Sequence, residues 1–197
     1  MPGHKGNLSP NFALLCKMED AYKTIFKSGR LYARQFTAAD LEEYVKLDSN
    51  KDVMRYIGGP RDQETIEKNL KGIIEYYEQH PGFGVWAVCK RRTNEFIGWV
   101  CLKNLDQTTE KELGYRLFKS AWGKGYATEI SKEALEYGFW DHELSRIVAI
   151  TVPENVRSLS VIKKLGFRYK REDNFYGKEV QFFALKYGEW ERGRGKM

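Results

Sequence analysis

Apolar residues recur along this chain with two different periods, and each change of period marks a boundary between elements. Between 63 and 80, Ile66, Leu70, Ile73 and Tyr77 fall on one helical face, Asp62 stands where the first amides need an acceptor, and Pro81 cannot continue the run. RLYARQF at 30–36 alternates instead, as a half-buried strand does. Leu41, Tyr44 and Leu47 follow at helical spacing behind Thr37 and Asp40, either of which can cap that helix. Alternation returns at 83–91 (FGVWAVCKR) and 95–103 (EFIGWVCLK), and a turn at Thr93-Asn94 makes these an antiparallel hairpin. A third strand, ELGYRLF at 112–118, comes after the polar stretch NLDQTTE. The order then changes to helix 125–140, strand 145–152, helix 155–165, strand 167–173 and a last strand at 179–187.

The strand–helix–strand run in the middle calls for a right-handed crossover, which makes the strands at 112 and 145 parallel. The expected fold is α/β: one mixed, mostly antiparallel sheet of six to seven strands with helices on both faces. Ahead of it, Leu14, Met18, Tyr22 and Ile25 lie at helical spacing with Gly29 as a stop. Residues 1–29 therefore read as an extension with a helix over 12–28, residues 30–190 as the domain, and 191–197 as a basic tail.

Composition narrows this picture. A chain of 197 residues holds one core, and 42% hydrophobic with 30% charged residues excludes a disordered or disulfide-scaffold protein. There is no apolar run of about 18 residues, and MPGHKGNLSPNF lacks the apolar centre of a secretory signal, so no membrane association is expected. Cys16, Cys89 and Cys101 are odd in number and widely spaced. Reflection about the Thr93-Asn94 turn sets Cys89 opposite residue 97 or 98, away from Cys101. Free thiols and a cytoplasmic location are the expectation. His4, His80 and His142 are too scattered for a metal set, and no metal is expected. The net charge of +6 gathers at the two ends, in Lys5, Lys17, Lys23, Lys27 and Arg30 and in Lys186, Arg192, Arg194 and Lys196. The body is close to neutral, so nucleic acid is not the expected partner.

Candidate chemistry begins at Trp122-Gly123-Lys124-Gly125-Tyr126-Ala127-Thr128-Glu129, between a strand and a helix carrying Ile130, Ala134 and Tyr137 on one face. Glycines there let successive amides converge on one anion at a helix N-terminus, and Lys124 adds a charge at the rim. A plain turn needing glycine for shape fits as well. The spacing matches neither a nucleotide P-loop nor a dinucleotide fingerprint. Further on, Asn155-Val156-Arg157-Ser158 opens the helix that ends at Gly166-Phe167. Asn155 can be its N-cap and Gly166 its C-terminal glycine, which leaves one thing unexplained: this helix follows the parallel strand beside the glycine loop. Ligands of open α/β sheets sit at the carboxyl ends of such strands, so the two helices flank one cleft.

Taken in order, RLYARQFTAAD, FGVWAV, EFIGWVCL, ELGYRLF, WGKGYATE and NVRSLSVIKKLGF resemble the GNAT superfamily of N-acetyltransferases, in particular its RimJ/RimL-like branch. The resemblance covers about residues 30–190 and implies a sheet splayed between its two parallel central strands, with acetyl-CoA entering the splay. It implies that the loop from Trp122 to Thr128 binds the cofactor, the amides of Gly123 to Ala127 holding its pyrophosphate. It further implies that the backbone near Leu117 and Phe118 pairs with the pantetheine amides, that Asn155 bonds the arm, and that Ser158 sits near the sulfur. Two departures stand out. Trp122 replaces the Gln or Arg of the wider superfamily, as is usual in this branch, and Ile162 occupies a position where many relatives carry a tyrosine acid. Ser158 is then the candidate proton donor.

An amine attacks a thioester only as the free base, so the site needs a proton acceptor. Glu112 is the candidate: alternation sets Glu112, Gly114 and Arg116 on one face of the strand and Leu113, Tyr115 and Leu117 on the other. A solvated edge glutamate paired with Arg116 is the competing reading. Tyr56, Trp86 and Trp99 either line an acceptor pocket or pack in the core. The expected activity is direct acetyl transfer from acetyl-CoA to an amine, a protein N-terminus or a small amine such as a polyamine, aminoglycoside or amino acid, by a monomer or homodimer. The rivals are a CoA-binding sensing module without transfer and an RNA-contacting protein using its basic ends.

Overall fold

The computed structural model describes residues 23–194. Its sheet runs β1 (Thr24–Lys27), β2 (Leu31–Gln35), β3 (Gly84–Lys90), β4 (Phe96–Asn104), β5 (Lys111–Leu117), β6 (Arg146–Thr151), β7 (Arg168–Phe175) and β8 (Lys178–Lys186), in the spatial order β1-β2-β3-β4-β5-β6-β8-β7. Every neighbouring pair is antiparallel except β5 and β6. The mixed sheet with one parallel pair is the expected one, but it has eight strands where six to seven were expected. The extra strand is β1, whose Lys27 pairs with Tyr32 and whose Phe26 packs edge-on against Trp86. This corrects the helix expected over 12–28: most of it lies outside the described residues, and where it enters them Thr24–Lys27 is extended.

One face of the sheet carries α1 (Leu41–Asp48), α2 (Lys51–Met54) and α3 (Gln63–Gln79). Tyr44 of α1 and Ile66 and Leu70 of α3 meet Val85, Ala87 and Cys101 there. Burying Ile66 and Leu70 contributes about 1.5–3 kcal/mol each. Asp62 caps α3 as expected, its Oδ1 accepting from the Thr65 amide at 2.8 Å. The opposite face carries α4 (Tyr126–Glu136), α5 (Val156–Lys164) and α6 (Tyr187–Arg194), whose Ile130, Ala134, Ile162 and Trp190 join Trp86, Val88, Leu113 and Leu117. β3 is thus buried from both sides, which is why its sequence reads as a nearly continuous apolar run.

Three further expectations are corrected. The helix expected to 140 is α-helical only to Glu136, and Tyr137–Asp141 form a wider π turn. There Gly138 passes so close to the sheet that a Cβ would stand 2.8 Å from Ile147 and Leu102. The domain does not stop at 190, because α6 runs through that boundary with Trp190 buried. In the β3–β4 hairpin a register irregularity after Val88 sets Cys89 opposite Phe96 rather than 97 or 98, while Cys101 faces Val85; both thiols are buried and free. No helix among the described residues is long and apolar enough to cross a membrane.

Candidate active site

β5 and β6 share a single ladder pair, Glu112 with Val148, and part beyond it. β5 spends its other side on β4 in an unbroken register from Asn104–Lys111 to Gly98–Leu117. Alternation in that ladder decides which peptide groups face the gap. The Phe118 amide bonds the Ile97 carbonyl at 2.9 Å and its carbonyl accepts from Ala121 at 2.9 Å, so both its groups are engaged within the protein. The backbone of Leu117 and Tyr115 turns the other way, toward β6.

The glycine loop closes one end of this gap. Gly123 and Gly125 have φ of 73° and 78°, where any side chain is strained, so their glycines are required by the backbone path. Gly125 is the N-cap of α4 and supplies no side-chain cap; the first amide to bond within the helix is that of Glu129, to the Gly125 carbonyl at 3.0 Å. The amides of Tyr126, Ala127 and Thr128 precede that bond, and with the positive end of the helix they make a seat for an anion. A pyrophosphate fits this donor set. Lys124 is exposed at the rim. Trp122 faces inward: its indole donates to the Leu117 carbonyl at 2.9 Å, and the Arg157 guanidinium lies 4.8 Å from its ring centroid. It ties the loop to the end of β5.

A brace missed in the sequence holds the first turn of α4. Glu129 Oε1 accepts from the Ser28 hydroxyl at 2.7 Å and the Arg30 amide at 2.8 Å, and Oε2 accepts from Arg30 Nε at 2.6 Å. Burial pushes this carboxyl up, but the Ser28 and Arg30 hydrogen bonds and the Arg30 charge outweigh it and hold it below its ordinary value. Arg30 also stacks 4.5 Å from the Tyr126 ring.

Asn155 is the N-cap of α5, its Oδ1 accepting from the Ser158 amide at 3.2 Å. Its Nδ2 has no hydrogen bond among the described residues. Ser158 lies against Tyr115: burial pushes the Tyr115 phenol up to about 12, and a hydrogen bond with Ser158 works against that rise. Tyr115 was not among the sequence candidates.

Glu112 and Ser158 are not brought together. They lie on opposite faces of β5, Glu112 with Gly114 and Arg116 on the α1/α3 side, Ser158 with Tyr115 on the α4/α5 side. Glu112 is buried and unpaired with Arg116, whose guanidinium bonds the fully buried Asp48 instead. Asp48 also accepts from Arg61 at 3.2 Å. Glu112 Oε2 accepts from Tyr176 Oη at 2.9 Å and from Lys103 Nζ at 3.3 Å. The point where a Cβ on Gly114 would lie is 3.1 Å from Cys101 Sγ, 3.8 Å from Glu112 Oε1 and 4.0 Å from Trp99 Cζ3. The absent side chain at Gly114 thus leaves room for the Cys101 thiol as well as for the carboxylate. Of the aromatic candidates, Trp86 is core, Trp99 lies beneath Arg116, and the Tyr56 carbonyl accepts from Lys178 at 3.5 Å. Lys103 lies nine residues before Glu112 and directly across the β4–β5 ladder from it, whereas Tyr176 comes from 64 residues downstream, and no local motif announces either. Among the described residues no cluster of His, Cys, Asp and Glu is placed to hold a metal.

Residues 30–168 match the acetyltransferase (GNAT) domain. The chain is similar to the N-acetyltransferase YoaA of Bacillus subtilis, 32% identical over 148 residues that span 73% of this chain and 82% of that protein. Among solved structures, a GNAT-family acetyltransferase from Bacillus anthracis superposes with a TM-score of 0.72 at 25% identity, over 84% of this chain and 99% of that one. RimL, a ribosomal α-N-protein acetyltransferase in complex with coenzyme A, shares the fold with a TM-score of 0.70 at 18% identity, over 83% and 98%. Sequence and fold comparisons thus agree over most of the chain, and this chain belongs to the GNAT family of acetyl-CoA-dependent N-acetyltransferases.

Proposed function

We propose that this chain moves an acetyl group directly from acetyl-CoA to an α-amine of the kind found at a protein N-terminus, with Glu112 as proton acceptor and Ser158 as proton donor. The observation that carries the reading is the placement of Glu112: a buried carboxylate on the strand that borders the gap, with Oε1 beside Gly114. The acetyl thioester supplies the electrophilic carbonyl. The amides of Gly123 to Ala127, the Leu117 amide and the Tyr115 backbone hold the donor, and the Asn155 amide nitrogen bonds its arm. The amine enters from the Glu112 face; as the C–N bond forms, its proton passes to the carboxylate, directly or through water. The C–S bond breaks toward the other face, where the leaving thiolate takes a proton by way of Ser158, which is backed by Tyr115 and regains its own proton from solvent. No covalent enzyme intermediate is needed.

An α-amine suits a carboxylate base better than a lysine side chain does, since it deprotonates near 7.7–8.0 rather than about 10.4. The fold shared with RimL supports the same class of acceptor. The test is thiol release from acetyl-CoA against N-terminal peptides, polyamines, aminoglycosides and free amino acids. The expected result is turnover above the no-acceptor rate with N-terminal peptides. Turnover with one of the small amines alone would replace the acceptor class, and tight acetyl-CoA binding without transfer to any of them would favour a sensing module.

A further inference from the structure

The turn between β7 and β8 is two residues long, Tyr176-Gly177, closed by the pair Phe175–Lys178. Its central residues have φ of 53° and 69°. A tight hairpin favours that handedness, and its first central position is normally Asn, Asp or Gly. A tyrosine held left-handed is costly, and such an outlier persists only where the rest of the structure compensates for it. The compensation lies at the far end of the side chain. Tyr176 Oη accepts from Lys103 Nζ at 2.6 Å and from the Asp106 amide at 2.9 Å, and donates to Glu112 Oε2 at 2.9 Å. The Tyr176 amide in turn donates to Asp106 Oδ2 at 3.3 Å. Asp106 is itself left-handed, with φ of 47°.

A hairpin tip 64 residues downstream thus folds over the start of β5. If it served only to glue two loops, the Asp106 contacts would suffice. The phenol proton goes instead to Glu112, and so does the Lys103 ammonium, both on the same oxygen. An ionised carboxylate is an acceptor only, so fixing Oε2 from two sides leaves Oε1 as the oxygen offered beside Gly114. Burial and the neighbouring Glu112 charge push the Tyr176 phenol up to about 12, so it keeps its proton as a donor across the working pH range. Burial opposes the Lys103 charge, but Cys101, Glu112 and Tyr176 outweigh it and hold that ammonium above its ordinary value.

We infer that Tyr176, together with Lys103, is a positioning residue of the acceptor site: it clamps Glu112 Oε2 so that Oε1 is presented to the incoming amine, and it makes the β7–β8 tip part of that site. The inference rests on the reading of Glu112 as proton acceptor. The test is a double-mutant cycle of Tyr176→Phe and Glu112→Gln, with Lys103→Met as a second variant that leaves the turn intact. Tyr176→Phe keeps the ring and is expected to lower kcat by about tenfold to a hundredfold, the scale of a small misplacement, with the KM for acetyl-CoA unchanged. Lys103→Met is expected to show the same kcat-only loss. In the Glu112→Gln background Tyr176→Phe should cost nothing further, because the group it positions is already gone. An equal loss on both backgrounds, or a rise in the acetyl-CoA KM, would mean that Tyr176 acts through the fold and would overturn the inference. Wild-type turnover in Tyr176→Phe with Glu112→Gln crippled would overturn it alone. Wild-type turnover in Glu112→Gln would remove the reading beneath it.

Discussion

The two sides of the gap between β5 and β6 are built from different materials. On the proposed donor side the working groups are mostly backbone, the amides of Gly123 to Ala127 and the inner edge of β5, with the Asn155 side chain added, and the side chains around the loop tie it in place. On the proposed acceptor side the working groups are side chains, and they come from β4, β5 and the β7–β8 turn, with Asp48 of α1 holding Arg116 behind them. A site made of backbone depends on a conformation, and glycine secures that conformation locally. A site made of side chains depends on partners that meet only in the finished fold, and every charge in it must be answered by another. The donor side should therefore fail through binding, and the acceptor side through turnover or through folding.

The largest expected effect follows from that last point. Asp48 is fully buried and bonds Arg116, itself almost fully buried, with Arg61 on its second oxygen. Asp48→Ala leaves the Arg116 guanidinium buried without its partner, a loss of about 3–5 kcal/mol. For a chain of this size that is a fall of roughly 6–20 °C in Tm. A Tm within a degree of wild type would show that the acceptor side is not stapled to α1 by this pair.

Next in size is Glu112→Gln, expected to lower kcat by about a hundredfold or more while the KM for acetyl-CoA stays put. Its counterpart is Gly125→Val. At φ of 78° a branched side chain is strained and shifts the loop, so acetyl-CoA affinity should fall by about tenfold, the equivalent of 1–2 kcal/mol, with kcat less affected. Isothermal titration with acetyl-CoA separates the two. If Glu112→Gln loses affinity and Gly125→Val loses turnover, the assignment of the two sides is reversed.

The same difference explains what was legible in the sequence. The glycine loop and the cap at Asn155 are contiguous, and the reason for each residue type is local, so both could be found by reading along the chain. The face of β5 that Glu112 occupies was legible because strand alternation assigns it, but its partners were not: the competing partner Arg116 was nearby in sequence, and the actual ones, Lys103 and Tyr176, are brought in by strand register and by a hairpin tip. Phe118 was read as a pantetheine partner beside Leu117, and only the β4 register shows that its amide belongs to Ile97. Among the elements, α3 has four turns of period to read, whereas β1 has four residues, too few to show alternation against the helical spacing that reaches Ile25 from upstream. α6 was missed because Tyr187 and Trp190 are its sole large apolar residues, and a single spacing of three does not make a period.

The smallest prediction concerns a brace of side chains from the β1–β2 turn on the donor side. Glu129, in the first turn of α4, is held by Ser28 and Arg30 of the β1–β2 turn, and that clamp sets the helix end from which the loop amides project. Its folded carboxyl titrates below its ordinary value, so its contribution to stability is present above the unfolded value of about 4.5 and is lost as pH falls through the depressed folded one. Arg30 is half exposed, which keeps that contribution in the range of about 0–1 kcal/mol, or a few degrees of Tm at most. Glu129→Gln should accordingly melt slightly below wild type at pH 7, and the gap should close as the pH is lowered through the carboxyl range. If the gap persists unchanged at acid pH, the brace works through packing rather than charge. If acetyl-CoA affinity is unchanged as well, the amide-lined loop holds its shape from its two glycines alone, and the donor side is still more self-contained than its contacts with β1 and β2 imply.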